Sequence, residues 1–88
     1  MSKRSFTKEE QALLRENKYT YSVTANTISF TIEFKKEFWK LYQTGHRPRE
    51  IVEILGYDFE LLGETRVTGL QGMIKKQAAD GNFRDGQH

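Results

Sequence analysis

The chain has 88 residues, a mass of 10.3 kDa and no cysteine, which fits one domain and excludes disulfide scaffolds, cysteine-ligated zinc sites and thiol nucleophiles. Its formal net charge is only +2, from 14 basic and 12 acidic residues, whereas a domain held on DNA by charge alone would carry a larger excess. No signal-peptide pattern or apolar run of about 20 residues occurs, so we expect a small, soluble, intracellular domain.

A first helix is predicted after a polar, flexible start at residues 1–5. Thr7 is suited to cap this helix, because Glu10 three residues later completes a capping box and Phe6 before it can form a hydrophobic staple. We therefore predict a helix over residues 8–16. Its few apolar side chains imply that packing against the rest of the domain stabilises it.

Residues 19–31 alternate large apolar with small polar side chains, which is the two-residue period of a β-strand. We predict a short hairpin with strands at 19–24 and 28–31 and a turn at 25–27. Its aromatic side chains can either stack on nucleic-acid bases or pack on the helices, and the small area of two short strands favours packing. The face expected to pack comprises Tyr19, Tyr21, Val23, Ile28 and Phe30.

The second helix has the strongest helical pattern in the chain. Thr31 is suited to cap it, Glu33 places a negative charge in its first turn, and Gly45 is expected to end it in a left-handed conformation. An apolar stripe follows at helical spacing, formed by Phe34, Phe38, Leu41 and Tyr42. The opposite side is expected to carry Lys35, Lys36, Lys40 and Gln43.

Three further helical segments are predicted. Pro48 suits the first position of a third helix that ends at Gly56, with an apolar face of Ile51, Ile54 and Leu55. Residues 58–63 are expected to form one capped turn, and residues 80–88 a flexible tail. The last helix is predicted over residues 64–79, with a buried stripe of Val67, Leu70 and Ile74. Gly69 and Gly72 each cost it about 1 kcal/mol.

The order of elements over residues 32–79 is that of a helix-turn-helix DNA-binding domain, whose last helix enters the major groove of DNA. Residues 31–42, followed by Gly45, Pro48-Arg49-Glu50-Ile51 and Ile54-Leu55-Gly56, resemble the helix-turn-helix domains of insertion-sequence transposases. The block from Phe6 through residues 21–31 resembles a subgroup of short transposase-associated proteins. In these a helix and a V-x-x-x-T-I-x-[FY]-T segment precede a homeodomain-like core.

The resemblance covers residues 6–79 and implies a single, mainly α domain in which a helix and a short β-hairpin precede a homeodomain-like helix-turn-helix core. It also implies a bacterial cytoplasmic protein that binds DNA in transposition, a form of DNA recombination. The chain departs from the family pattern after Leu55-Gly56, because Tyr57 to Gly63 intervene where relatives have a short turn. This insertion is expected to displace the recognition helix.

The polar side chains of the last helix are the candidate DNA contacts. Arginine and glutamine can bind guanine and adenine in bidentate fashion, whereas lysine and threonine more often contact phosphates. Gaps at Gly69 and Gly72 would let DNA approach the backbone. The alternative is an ordinary solvated face, which every surface helix presents opposite its apolar stripe. The candidates are Arg66, Thr68, Gln71, Lys75 and Lys76.

Basic residues elsewhere in the chain are further candidates. Arg47 and Arg49 at the start of the third helix can bind phosphates, although Arg49 can instead pair with a glutamate four residues later, Glu53. Lys3 and Arg4 can form either a minor-groove arm or a mobile terminus.

The sequence contains no recognisable catalytic motif. His46 and His88 do not form a pair of metal ligands, and the glycines lack the Gly-Lys-Ser/Thr of a phosphate loop. Asp58, Asp80 and Asp85 fall in turns or in the tail, with no scaffold to join them. We therefore predict a protein that is not an enzyme and binds no metal or cofactor, with any catalytic carboxylates of the transposase elsewhere.

Two functions remain open. The first is a DNA-binding module that recognises the ends of a mobile element or acts as a regulator, with double-stranded DNA as its partner and a transposase catalytic subunit as a possible second one. The second is a protein-interaction module of such a complex, favoured by the small net charge, which would use Trp39 unless that residue packs on the hairpin or first helix. No membrane partner is expected.

Overall fold

The computed structural model describes residues 5–83, and these form a mainly α fold with one small antiparallel sheet. The elements are α1 (Lys8–Glu16), β1 (Thr20–Val23), β2 (Ile28–Phe30), α2 (Ile32–Gln43), α3 (Pro48–Ile54), α4 (Phe59–Leu62) and α5 (Glu64–Asp80). The fold class is therefore as predicted. Within the described range, α5 extends one residue past its predicted end and Phe83 packs against the core. The predictions for Lys3, Arg4, Asp85 and His88 lie outside the described residues.

Side-chain caps set the beginnings of α1 and α2, as the sequence predicts. Thr7 Oγ1 accepts the backbone N–H of Glu10 at 3.1 Å, while Glu10 Oε1 accepts the backbone N–H of Thr7 at 2.9 Å. Thr31 Oγ1 likewise accepts the N–H of Phe34 at 3.3 Å. These bonds satisfy N–H groups that have no partner inside a helix, so a local signal is sufficient to place each boundary.

The hairpin forms as predicted, but its buried face differs at Tyr21. Val23 pairs with Ile28 and Thr20 with Phe30, and the register shifts between Thr20 and Ser22. An extra residue of this kind interrupts the two-residue alternation of a strand. Tyr21 is consequently 59% exposed instead of packing on the helices, and the prediction for this residue is wrong.

An aromatic cluster joins the hairpin to the helices. Phe30 of β2 stacks on Phe34 of α2 with ring centroids 4.3 Å apart, and Tyr57 meets both rings edge-on at 5.3 and 5.5 Å. The side-chain amide of Asn17, just after α1, donates to the carbonyl of Leu55 at 3.1 Å. The N-terminal block and the helical part therefore share one hydrophobic core.

Two predicted helix faces need correction. In α3, Ile51 and Val52 are fully buried while Ile54 is 55% exposed, because the helix packs against both α2 and α5 and its buried arc centres between them. In α2, Lys35 is completely buried rather than solvated. Since α2 also contacts both α3 and α5, its buried arc is wider than the predicted four-residue stripe.

A glycine elbow separates the short α4 from α5. Asp58 caps α4 by accepting the N–H of Glu60 at 3.0 Å, and Gly63 then adopts φ 87° and ψ 150°. This conformation is essentially restricted to glycine, so the chain changes direction here and α5 begins at once. Residues 57–63, which the sequence identifies as an insertion, therefore contain α4 and the elbow that precede α5, and the displacement of the last helix relative to other family members stays a prediction. None of the helices within residues 5–83 combines the length and the apolar character that a bilayer crossing needs.

Candidate nucleic-acid interface

One side of α5 is buried and the other is open to solvent. Val67, Leu70 and Ile74 are buried as predicted, and Gln77 extends the buried stripe by one turn. The opposite side, which we call the open face, consists of Thr65, Thr68, Gly69, Gly72, Lys75, Lys76 and Ala79. Three of the five predicted contacts on this helix, Thr68, Lys75 and Lys76, therefore lie where a DNA groove can reach them.

The two glycines of the open face have no role in packing. A Cβ atom built at Gly69 or at Gly72 would meet no heavy atom within 4 Å, and neither has a positive φ. Because each glycine weakens the helix by about 1 kcal/mol relative to alanine, the fold alone would favour alanine at both positions. Their effect is a flat strip of exposed backbone along the centre of the open face.

Arg66, another predicted contact, lies beside the open face and is half-buried. Its guanidinium carbon is 4.1 Å from the ring centroid of Phe6, a cation–π distance. Nη1 donates to the carbonyl of Leu62 at 3.1 Å, and Nη2 donates to the carbonyl of Asn26 at 3.3 Å. Arg66 therefore ties the N-terminal segment, the hairpin turn and α4 to α5.

Gln71, the remaining predicted contact on α5, lies at the other edge of the open face. It is half-buried, and its Nε2 donates to the hydroxyl of Tyr42 at 3.1 Å. Tyr42 itself stacks on Trp39 with centroids 5.7 Å apart, so the aromatic contact of Trp39 is within its own helix. The sequence assigns Tyr42 to the apolar stripe of α2, and nothing in that spacing reveals its polar bond to α5.

Arg49 and its neighbour Arg47, at the start of α3, form what we call the basic shoulder, and Arg49 lies beside the Gln71 edge of the open face. Both side chains are exposed, and the Arg49 guanidinium lies 4.9 Å from the ring centroid of Phe59. Glu53 accepts the N–H of Phe59 at 3.2 Å, an alternative to the predicted pair with Arg49. A cleft of about 270 Å³ between α3, α4 and α5 includes Arg49, Thr68 and Gln71 in its lining. One predicted phosphate contact and two predicted α5 contacts thus meet at one surface.

Metal chemistry has no visible site in the part of the chain that the structure describes. Residues 5–83 contain no group of three or more histidine, cysteine, aspartate or glutamate side chains placed to hold an ion. The Nδ1 atom of His46 shares hydrogen bonds with the Thr44 hydroxyl at 3.0 Å and the Leu41 carbonyl at 3.2 Å. The imidazole ring of His46 therefore hydrogen-bonds to the C-terminal end of α2.

Comparison with known proteins supplies the family. No significant match appears among curated proteins or among solved structures. The model of one family, described as "Transposon related HTH domain protein", matches residues 1–88. The match agrees with the helical core, the glycine turns and the exposed last helix described above, and helix-turn-helix domains bind DNA through such a helix. The chain belongs to the transposon-related helix-turn-helix domain proteins.

Proposed function

We propose that this domain recognises the end sequences of a mobile element by placing the open face of α5 in the major groove. The observation that carries the proposal is the pair of glycines whose removal would strengthen the helix and disturb no neighbour. A flat strip of backbone is useful when another surface must come very close. Residues Thr68, Lys75 and Lys76 surround this strip, and Gln71 lies at its edge.

The dimensions of α5 suit this role. A helix with its side chains is about 10–12 Å across, and the major groove is about 12 Å wide. The 17 residues of α5 make it about 26 Å long at 1.5 Å per residue. Arg47 and Arg49 would then meet the phosphates beside the groove, while Arg66 supports α5 from the side instead of reading a base.

The small net charge sets an expectation for salt dependence. Four basic side chains belong to the proposed interface, namely Lys75, Lys76, Arg47 and Arg49. Each phosphate contact on B-DNA contributes about −0.9 to the slope of log K against log salt, so the slope should not be steeper than about −4. Affinity for the correct sequence must therefore depend largely on contacts to bases and on close fit.

The test is a fluorescence anisotropy titration of duplexes from transposon ends, at several salt concentrations, with a scrambled duplex of equal length. The double variant Lys75→Ala/Lys76→Ala should flatten the salt slope by about 2. Lys36→Ala/Lys40→Ala is a matched control, because both lysines are exposed on α2 and removal of the same charge there should leave the slope unchanged. Equal effects of the two pairs, or equal binding of the scrambled duplex, would contradict the proposal.

We further propose that the domain acts in the cytoplasm without catalysing strand transfer itself, the catalytic carboxylates being supplied by a transposase subunit or another segment. One observation favours a second role in protein contact, since Leu13, Tyr21 and Ile54 are large apolar side chains that are more than half exposed. An NMR titration separates the roles. DNA should shift the amide signals of Thr68 to Lys76, whereas a protein partner should shift those around Leu13 and Ile54.

A further inference from the structure

A second groove flanks α5 on the side away from the basic shoulder. It has a volume of about 470 Å³ and runs between β2 and α5. Its floor is apolar and consists of core side chains, including Ile28, Phe30 and Leu70, while its mouth is polar. Asn26, Thr27 and Thr65, all exposed, belong to that mouth, so the turn of the hairpin lies next to the first half of the open face.

The hairpin turn is held in this place. Thr24 N donates to the Thr27 carbonyl at 2.8 Å, and the Thr24 hydroxyl accepts the N–H of Thr27 at 3.1 Å, which closes the turn. Arg66 fixes the turn to α5 through the Asn26 carbonyl. From the other side, Phe6 N donates to the carbonyl of Ala25 at 2.7 Å. A turn tied down at three points presents its outer atoms in a defined position.

The open face of α5 is therefore bordered by two polar projections, one on each side. Gln71 and Thr68 share a cleft with Arg49 of the basic shoulder, whereas Thr65, Arg66 and Gly69 share the groove with the hairpin turn. When a helix lies in the major groove, the two sugar-phosphate backbones run along its two sides. Projections on both sides of α5 match this arrangement.

We propose that the hairpin turn, residues 24–27, is a second backbone-binding site, which contacts the phosphates of the strand opposite the one met by the basic shoulder. This inference rests on the proposed function. The turn has no charged residue, and asparagine and threonine side chains are common donors to phosphate oxygens. Ser5 Oγ donates to Asn26 Oδ1 at 3.2 Å. This bond occupies the acceptor end of the amide and directs its N–H groups away from Ser5.

Charge placed on the turn tests the proposal. Asn26→Lys should make the salt slope more negative by about 0.9, the contribution of one added phosphate contact, and should tighten binding to transposon-end duplexes. Asn26→Asp should weaken binding severalfold through repulsion. Ser22→Lys and Ser22→Asp are matched controls, because Ser22 is an exposed residue of β1, outside the lining of the groove, and they should change neither quantity. Melting curves by circular dichroism verify that each variant is folded.

The outcomes separate the two proposals. If the Asn26 and Ser22 variants behave alike while Lys75→Ala/Lys76→Ala still flattens the slope, the turn does not contact DNA and the role of α5 stands. If the lysine variant and wild type have the same slope, the role of α5 in DNA binding fails, and the proposed second site fails with it.

Discussion

The side-chain amide of Gln71 donates a hydrogen bond to the hydroxyl of Tyr42, 3.1 Å away. A residue at the edge of the open face is thereby oriented by α2. A glutamine side chain has three rotatable bonds that lose freedom on binding, and a fixed partner lowers the entropy cost of presenting it to a base. If Gln71 reads a base, as proposed above, Tyr42 is its positioning residue.

Removing this hydroxyl should reduce sequence discrimination. If Gln71 reads a base, Gln71→Ala should lower discrimination at one base pair by about 1–3 kcal/mol, and Tyr42→Phe should reproduce part of that loss. A double-mutant cycle measured with correct and single-mismatch duplexes should give a coupling energy of at least about 0.5 kcal/mol. Additive losses would show that Tyr42 does not act through Gln71.

Replacing Gly72 by alanine should have opposite effects on stability and on DNA binding. Without the glycine penalty, the free energy of unfolding should rise by about 1 kcal/mol, because a Cβ there meets no neighbour. The same methyl group would obstruct close approach of DNA, so affinity should fall while the salt slope stays unchanged. Urea unfolding and anisotropy titration measure the two effects. A variant that is more stable and binds DNA as tightly as wild type would refute the role assigned to this glycine.

Variants of Arg66 test whether this residue stabilises the fold or contacts a base. Arg66→Ala removes two hydrogen bonds and the contact with Phe6, and should lower the free energy of unfolding by about 2 kcal/mol. Arg66→Lys should recover little of this loss, because an ammonium group cannot reproduce the forked geometry. Urea unfolding supplies the measurement. A loss of discrimination at a single base pair, with stability unchanged, would instead support direct base contact.

The stability of the domain should depend on Tyr57 at high pH. Burial raises the pKa of Tyr57 from 10.0 to about 12, and the hydrogen bond with Thr20 partly offsets this increase. Because the folded-state pKa is raised, the stabilising contribution of the protonated phenol is complete below pH 10 and is lost as the pH rises towards 12. Tyr57→Phe should be less stable at neutral pH by about 1 kcal/mol, and its stability should fall less steeply over this interval. Urea unfolding at a series of pH values tests this, and parallel curves would contradict it.

The features that the sequence predicts well are those with local causes. Thr7, Thr31 and Pro48 mark helix starts because the groups they satisfy or omit lie within one turn of them. The stripe of Val67, Leu70 and Ile74 is regular enough to identify the buried side of α5. The outline of the fold thus follows from neighbouring residues.

The failures have long-range causes. Tyr21 is exposed because an irregularity in the strand changes the alternation of buried and exposed residues. Lys35 is buried and Ile54 is exposed, the reverse of the prediction, because each of their helices packs against two others and these contacts determine which residues are buried. The same reason applies to the candidate site. The bonds of Arg66 to Asn26 and of Gln71 to Tyr42 join residues 40 and 29 positions apart, and helical spacing contains no information about them.

The aromatic cluster shared by the hairpin and α2 determines how much of the chain must be kept when this domain is fused to another protein. Phe30 and Phe34 stack across the boundary between the hairpin and α2, and Phe6, Leu14, Val23 and Ile28 are buried with them. A fragment that begins at α2 would uncover Phe34 and lose the turn beside the open face. The smallest graftable unit is therefore not the helix-turn-helix motif that gives such domains their name, but the chain from Phe6 through α5.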